Sequence, residues 1–259
     1  MPKFAANLSM LFTEEAFLDR FAAAARAGFK GVEYLFPYDY PAETLKAGLD
    51  DNGLTQVLFN LPAGDWAAGE RGIACHPGRV EEFRGGVDRA IEYARVLGNT
   101  QVNCLAGIQP DGVSDDQARQ TLVDNLRFAA EKLQAAGILL IAEPINTRDI
   151  PGFFLNRTEQ ALAIFGEVAS DNLKLQYDIY HMQIMEGDLA PTIETHLARI
   201  AHIQIADTPG RHEPGTGEIH YPFLFAHLDR LGYRGWVAAE YKPAATTEEG
   251  LGWLDAARG

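Results

Sequence analysis

Cysteine is nearly missing from this chain: Cys75 and Cys104 are the only two in 259 residues. A disulfide-stapled scaffold needs more, so two buried or idle thiols are expected, Cys75 in a loop-like stretch and Cys104 inside an apolar run. Positive charge is also scarce, with 22 Lys and Arg against 36 Asp and Glu and a net charge of −14. That balance repels phosphate backbones and anionic membranes at long range, so neither nucleic acid nor membrane is expected as a partner. Long apolar runs are lacking too. None approaches the roughly 20 residues of a bilayer span, and residues 1–7 carry no apolar core of the kind a secretory signal needs. A cytoplasmic location is expected. Without low-complexity tracts or linker-like composition, residues 1–259 are expected to form a single domain, of a size that α/β barrels reach undivided.

What is present is a regular alternation. Short β-type runs occur near 3–8, 31–36, 54–60, 101–106, 138–143, 173–178, 200–205 and 236–240, with helical patterns between them. Thr13-Glu14-Glu15 and Ser114-Asp115-Asp116-Gln117 read as helix openings, and Gly28 and Gly137 as stops. Eight β/α units argue a parallel sheet closed into a (β/α)8 TIM barrel, with an open doubly wound sheet as the alternative. Two connections, 61–78 and 206–221, are long. Both follow the carboxyl ends of strands, the face where barrel enzymes place their sites.

Four polar residues end apolar strand-like runs: Glu143, Asp178, Gln204 and Glu240. A carboxylate in such a place is costly to bury alone, so a cation is its natural partner, although a helix cap or an arginine would also serve. Three carboxylates and an amide offer oxygen only, which suits Mg²⁺ or Mn²⁺ better than a thiophilic metal.

At these residues, and at Asn7–Phe12, Phe36-Pro37-Tyr38, Ala142-Glu143-Pro144, Asp178–His181, His202–Ala206, Arg211–Pro214, Gly217–Ile219 and Glu240–Pro243, the chain resembles the xylose-isomerase-like barrels, and within them the hydroxypyruvate isomerase family. The resemblance covers essentially the whole chain. It implies a metal held by Glu143, Asp178, Gln204 and Glu240, with Glu143 and Glu240 also moving the proton. The amide at Gln204 favours this branch over the ketose 3-epimerases, which usually have His there. The chain departs from the family pattern at His220 and His76, where Asn and an aliphatic residue are usual. The implied reaction interconverts hydroxypyruvate and tartronate semialdehyde through an enediolate, which a divalent ion would stabilise.

The substrate carboxylate needs a cation. Arg211 is the first candidate because a guanidinium can bind it with two parallel hydrogen bonds, and Lys242 is the second. His181, expected on the loop leaving the sixth strand, could donate to a substrate oxygen. Glu213 could orient His181 or Arg211, and His212 could face water. Trp66, Glu70 and Arg71 in the 61–78 loop could form a lid that excludes water from the enediolate, Glu70 and Arg71 touching substrate. The partner expected is therefore a small oxo acid, and a homo-oligomer is compatible with the composition. Rival readings are an isomerase of a longer 2-oxo sugar acid, a ketose 3-epimerase, a noncatalytic sugar-acid binder, and an endonuclease IV-like phosphodiesterase. The last would need a histidine-rich zinc cluster and a basic groove, against seven histidines and −14 here.

Overall fold

The strands recur as expected in the computed structural model, which describes residues 2–258. They are β1 (Lys3–Asn7), β2 (Gly31–Glu33), β3 (Thr55–Leu58), β4 (Gln101–Cys104), β5 (Leu139–Ala142), β6 (Leu173–Asp178), β7 (Ile200–Ile205) and β8 (Trp236–Ala239). All pair in parallel, in the order β3-β2-β1-β8-β7-β6-β5-β4. The two ends of this order meet through a bridge at Asn60 and Asn103, where Asn103 N–H donates to Phe59 O at 3.0 Å and Leu61 N–H to Asn103 O at 2.8 Å. The sheet is a barrel, not an open doubly wound layer.

Helices α1 (Arg20–Arg26), α2 (Ala42–Asp51), α3 (Val80–Leu97), α4 (Asp115–Ala135), α5 (Thr158–Val168), α6 (Ile179–Met185), α7 (Leu189–His196), α8 (Tyr221–Arg230) and α9 (Gly252–Arg258) cover the outside. The opening read at Ser114 is a complete capping box: its hydroxyl accepts from Gln117 N–H, and the Gln117 side chain accepts from Ser114 N–H. The opening read at Thr13-Glu14-Glu15 is not a helix start. Glu14 is drawn instead into a distant contact, accepting from Thr247 N–H at 2.6 Å, and helical structure begins only with the 3-10 turn Phe17–Asp19.

Side chains alternate along each strand and so divide the core in two. Phe4, Val102, Leu140, Leu175, Ile203 and Val237 pack outward against the helices. Inside the barrel a small plug of Ala5, Val57, Leu58, Ile141 and Ala238, with Trp236 against it, closes the amino-terminal end. Gly31 is required here, because a Cβ would stand 2.7 Å from Val57 and 2.8 Å from Trp236. Above the plug the inward positions turn polar: Asn7, Glu33, Asn103, Glu143, Asp178, Gln204 and Glu240 are all buried at the carboxyl end. Cys75 and Cys104 are buried free thiols, and no helix among the described residues is long and apolar enough to cross a membrane.

Candidate active site

The inward polar layer opens into a cavity of about 670 Å³, reached by Glu143, Gln204, Arg211, Glu240, Arg71 and Lys242 among others. Glu143 follows β5, Asp178 ends β6, Gln204 lies in β7 and Glu240 follows β8, so the barrel's closure brings together four side chains spread over nearly a hundred positions. Asp178 also caps α6, accepting from Tyr180 N–H at 2.7 Å and His181 N–H at 3.2 Å. This helix is why His181 is not on a loop: it rises from the first turn of α6, one turn above Asp178.

Glu143, Asp178 and His181 each offer a ligand atom within 4.8 Å of the others, a group that could hold a metal ion. Glu143 Oε1 and Asp178 Oδ2 are buried without a hydrogen-bond partner, and His181 Nε2 stands 3.7 Å and 3.6 Å from them. Unpaired buried carboxylate oxygens are costly, and two aimed at one point fit a cation. His181 has a second constraint. Asn146 Oδ1 accepts from Asp149 N–H at 2.7 Å, which turns its amide nitrogen toward His181 Nδ1 at 2.6 Å. Nδ1 is then the acceptor and Nε2 the protonated donor, so in this tautomer the two carboxylates, not the imidazole, are the ligands left for a cation. Burial, then Arg211, push the His181 pKa well below the ordinary imidazole value, so the ring is neutral.

Gln204 and Glu240 are arranged differently from a ready ligand pair. The Gln204 amide nitrogen, not its oxygen, faces the carboxylates, donating to Glu33 Oε1 at 2.7 Å and Glu240 Oε2 at 2.5 Å. Its oxygen accepts from Gln176 Nε2 at 2.6 Å. Glu240 Oε1 accepts from Arg211 at 2.7 Å, and the same guanidinium nitrogen lies 3.8 Å from Asp178 Oδ2. Burial, then Glu240 and Asp178, raise Glu143 well above the usual carboxyl range. Burial outweighs Arg211 in raising Glu240 to about 8 and Asp178 to about 6.

Arg211 is thus engaged with protein carboxylates rather than held clear for a substrate carboxylate. It adopts φ +58° and lies over the Tyr180 ring at 5.1 Å, and its buried Nε has no partner. Lys242 is exposed at the rim, its N–H donating to Arg211 O at 2.7 Å. Arg71 lines the cavity over the Trp66 ring at 4.2 Å. Glu70 does not line it; the carboxylate pairs with Arg79, because the loop's turn points it back toward α3. Glu213 is turned to the loop after β8 and does not hydrogen-bond His181 or Arg211. It accepts from Ala244 N–H at 3.0 Å and so ties the loops after β7 and β8 together, while His212 Nδ1 lies 2.7 Å from Lys242 O. The departures from the family pattern lie outside the cavity: His76 accepts from Gly78 N–H, and His220 stacks on Phe223.

Asn7, Glu33, Asn60, Asn103, Gln176 and His202 complete the polar layer and were not singled out by strand-end reading. Inward positions on or just beyond the strands were a usable signal, but amides, one histidine and a lone glutamate on short runs do not stand out. A buried cage of carboxylates and amides at the carboxyl end of a (β/α)8 barrel defines the class: a barrel with its candidate site where barrel enzymes place theirs. Residues 21–257 match the model of the xylose isomerase-like TIM barrel. The chain is 59% identical over 255 residues to the hydroxypyruvate isomerase of Escherichia coli strain K12, covering 98% of this chain and 99% of that one. It is 56% identical over 254 residues to the 2-oxo-tetronate isomerase of Cupriavidus necator, covering 98% of each. It also superimposes on the crystal structure of AP endonuclease, family 2, from Brucella melitensis with TM-score 0.96, at 48% identity and 99% coverage of both chains. The chain belongs to the xylose isomerase-like TIM-barrel family and, within it, to the isomerase branch that includes hydroxypyruvate isomerase and 2-oxo-tetronate isomerase.

Proposed function

We propose that this isomerase acts on a short 2-oxo acid carrying a hydroxyl on the neighbouring carbon, with hydroxypyruvate and its interconversion with tartronate semialdehyde as the leading case. The reading is carried by one observation: two buried glutamates, Glu143 and Glu240, face one cavity from the ends of β5 and β8, both with raised pKa. A carboxyl whose pKa is raised from its ordinary range is a better base for the substrate proton and can return it. Removing the proton next to a carbonyl leaves an enediolate, and the same two groups can deliver a proton to the neighbouring carbon. His181, as a neutral Nε2–H donor, would hydrogen-bond the substrate oxygen that gains charge.

Glu143 and Asp178, with their unpaired oxygens, would hold a divalent ion, Mg²⁺ or Mn²⁺ by the oxygen-rich donor set. Glu240 would join them, with Gln204 at the edge of the same donor set, its amide nitrogen turned to Glu33 and Glu240 and its oxygen to Gln176. Such an ion would neutralise charge developing on the substrate oxygens. Arg71 and Lys242 would supply the cations for the substrate carboxylate, and Arg211, on the wall of the same cavity, would add to the positive field that draws it in. The loop carrying Trp66 and Arg71 lines the cavity and would keep water from the enediolate.

A longer 2-oxo acid of the tetronate type has the same reacting carbons, and a 670 Å³ cavity is generous for a three-carbon acid. Phosphodiester cleavage would lack a basic groove in a chain of charge −14. Purified protein with Mg²⁺ or Mn²⁺ should convert hydroxypyruvate or a four-carbon 2-oxo acid faster than ketoses, leave abasic-site DNA uncut, and incorporate solvent deuterium on the product carbon. Retention of the substrate hydrogen with no solvent label in a single turnover would replace proton transfer by hydride shift. Inactivity toward every oxo acid would overturn the reading.

A further inference from the structure

Glu33 is a buried carboxylate that neither the cation nor the proton-transfer roles use. It is 1% exposed and ends β2. In the β1–β2 pairing Glu33 stands directly beside Asn7. Three side-chain donors converge on it: Asn7 Nδ2 at 3.0 Å and Gln204 Nε2 at 2.7 Å, both to Oε1, and His202 Nε2 at 2.8 Å to Oε2. Gln101 Nε2 lies 3.5 Å from His202 Nδ1, which agrees with Nδ1 as acceptor and Nε2 as the protonated nitrogen.

The two amides are shared. Asn7 Nδ2 also lies 2.8 Å from Glu240 Oε2, and Gln204 Nε2 lies 2.5 Å from the same oxygen. An amide nitrogen has two hydrogens, so each amide gives one to Glu33 and one to Glu240. The oxygen ends are held as well, Asn7 Oδ1 by Ser9 N–H at 3.0 Å and Gln204 Oε1 by Gln176 at 2.6 Å. We propose that Glu33 is a positioning residue for Glu240: by accepting one hydrogen from Asn7 and one from Gln204, it fixes both amide planes and aims their second hydrogens at Glu240 Oε2.

The functional consequence rests on the reading of Glu240 as a proton carrier, whereas the positioning itself does not. Glu33→Gln keeps the shape but sets an NH2 group against one of the donors. Partners that orient a functional group are typically worth 10- to 100-fold in activity, so kcat should fall by about tenfold or more, with KM for the oxo acid little changed and the melting temperature lowered by the opposed donors. A crystal structure of the metal-free variant should show Glu240 released by at least one amide. Should Glu33→Gln fail to fold, Asn7→Ala cuts one bridge without touching a charge, and should lower kcat and displace Glu240 likewise. Glu240 still held by both amides in Glu33→Gln, or kcat within about twofold of the parent, overturns the proposal. If the parent itself turns over no oxo acid, the proposed function fails, and the variant's crystal structure alone decides the positioning.

Discussion

Neutral amides at positions 143 and 240 would keep the shape of both side chains while removing their ability to accept a proton. Glu143→Gln and Glu240→Gln should each lower turnover by about 10²-fold or more, with far-UV circular dichroism unchanged; near-parental turnover in either would end the two-glutamate scheme. Arg211 is expected to behave differently from a simple carboxylate anchor. Its guanidinium bonds Glu240 at 2.7 Å and keeps a free buried Nε. A lysine cannot do both with one point charge. Arg211→Lys should therefore lower kcat as well as raise KM, and an effect confined to KM in steady-state kinetics would show that the Glu240 contact is idle.

Loops and helices carry their own tests. The 61–78 connection is held down by backbone approach: Gly72 has φ +113°, a Cβ there would collide with Leu105 O, and Gly72 N–H donates to Ala63 O at 3.0 Å. Gly72→Ala should lift the loop that carries Trp66 and Arg71, seen as a higher KM and faster proteolysis within 61–78. The other long connection, 206–221, is ordered by a buried carboxylate, Asp207, which accepts from Thr208, Gly215 and Ile219 N–H groups. Far from the site, Ser114→Ala removes one half of a capping box and should cost about 1 kcal/mol. In a chain of this size that lowers the melting temperature by roughly 2–4 °C, measurable by calorimetry, and leaves turnover intact.

Over the whole molecule, the price of the buried carboxylate cage is a pH dependence. Glu240 titrates at about 8 in the folded protein against 4.5 ordinarily. Between those values the metal-free folded state holds more protons than the unfolded chain, so its stability falls as pH rises through this window. A divalent cation at the carboxylates would oppose that loss. The melting temperature of chelator-treated protein should drop from pH 5 to pH 8, and the increase produced by Mg²⁺ or Mn²⁺ should grow over the same range. A metal-independent melting temperature would speak against a cation at this site.

Much of this architecture is legible in the sequence because it follows from local periodicity. Apolar runs broken at regular intervals announce eight strands, and a polar residue at the end of an apolar run marks Glu143, Asp178, Gln204 and Glu240 without reference to any partner. Cys75 and Cys104 as idle thiols, and Ser114 as a cap, are local in the same sense. What the sequence could not decide is where each polar group spends its hydrogen bonds. Arg211 and Glu240 are 29 residues apart, Glu33 and Gln204 171, and Asn7 and Glu240 233. Those pairings exist only once β1, β2, β7 and β8 lie side by side, and no propensity or spacing encodes them. Closure of the barrel therefore decides that Arg211 neutralises a protein carboxylate and that Glu70 faces Arg79, because buried charges and amides must satisfy one another over whatever distance the chain has travelled.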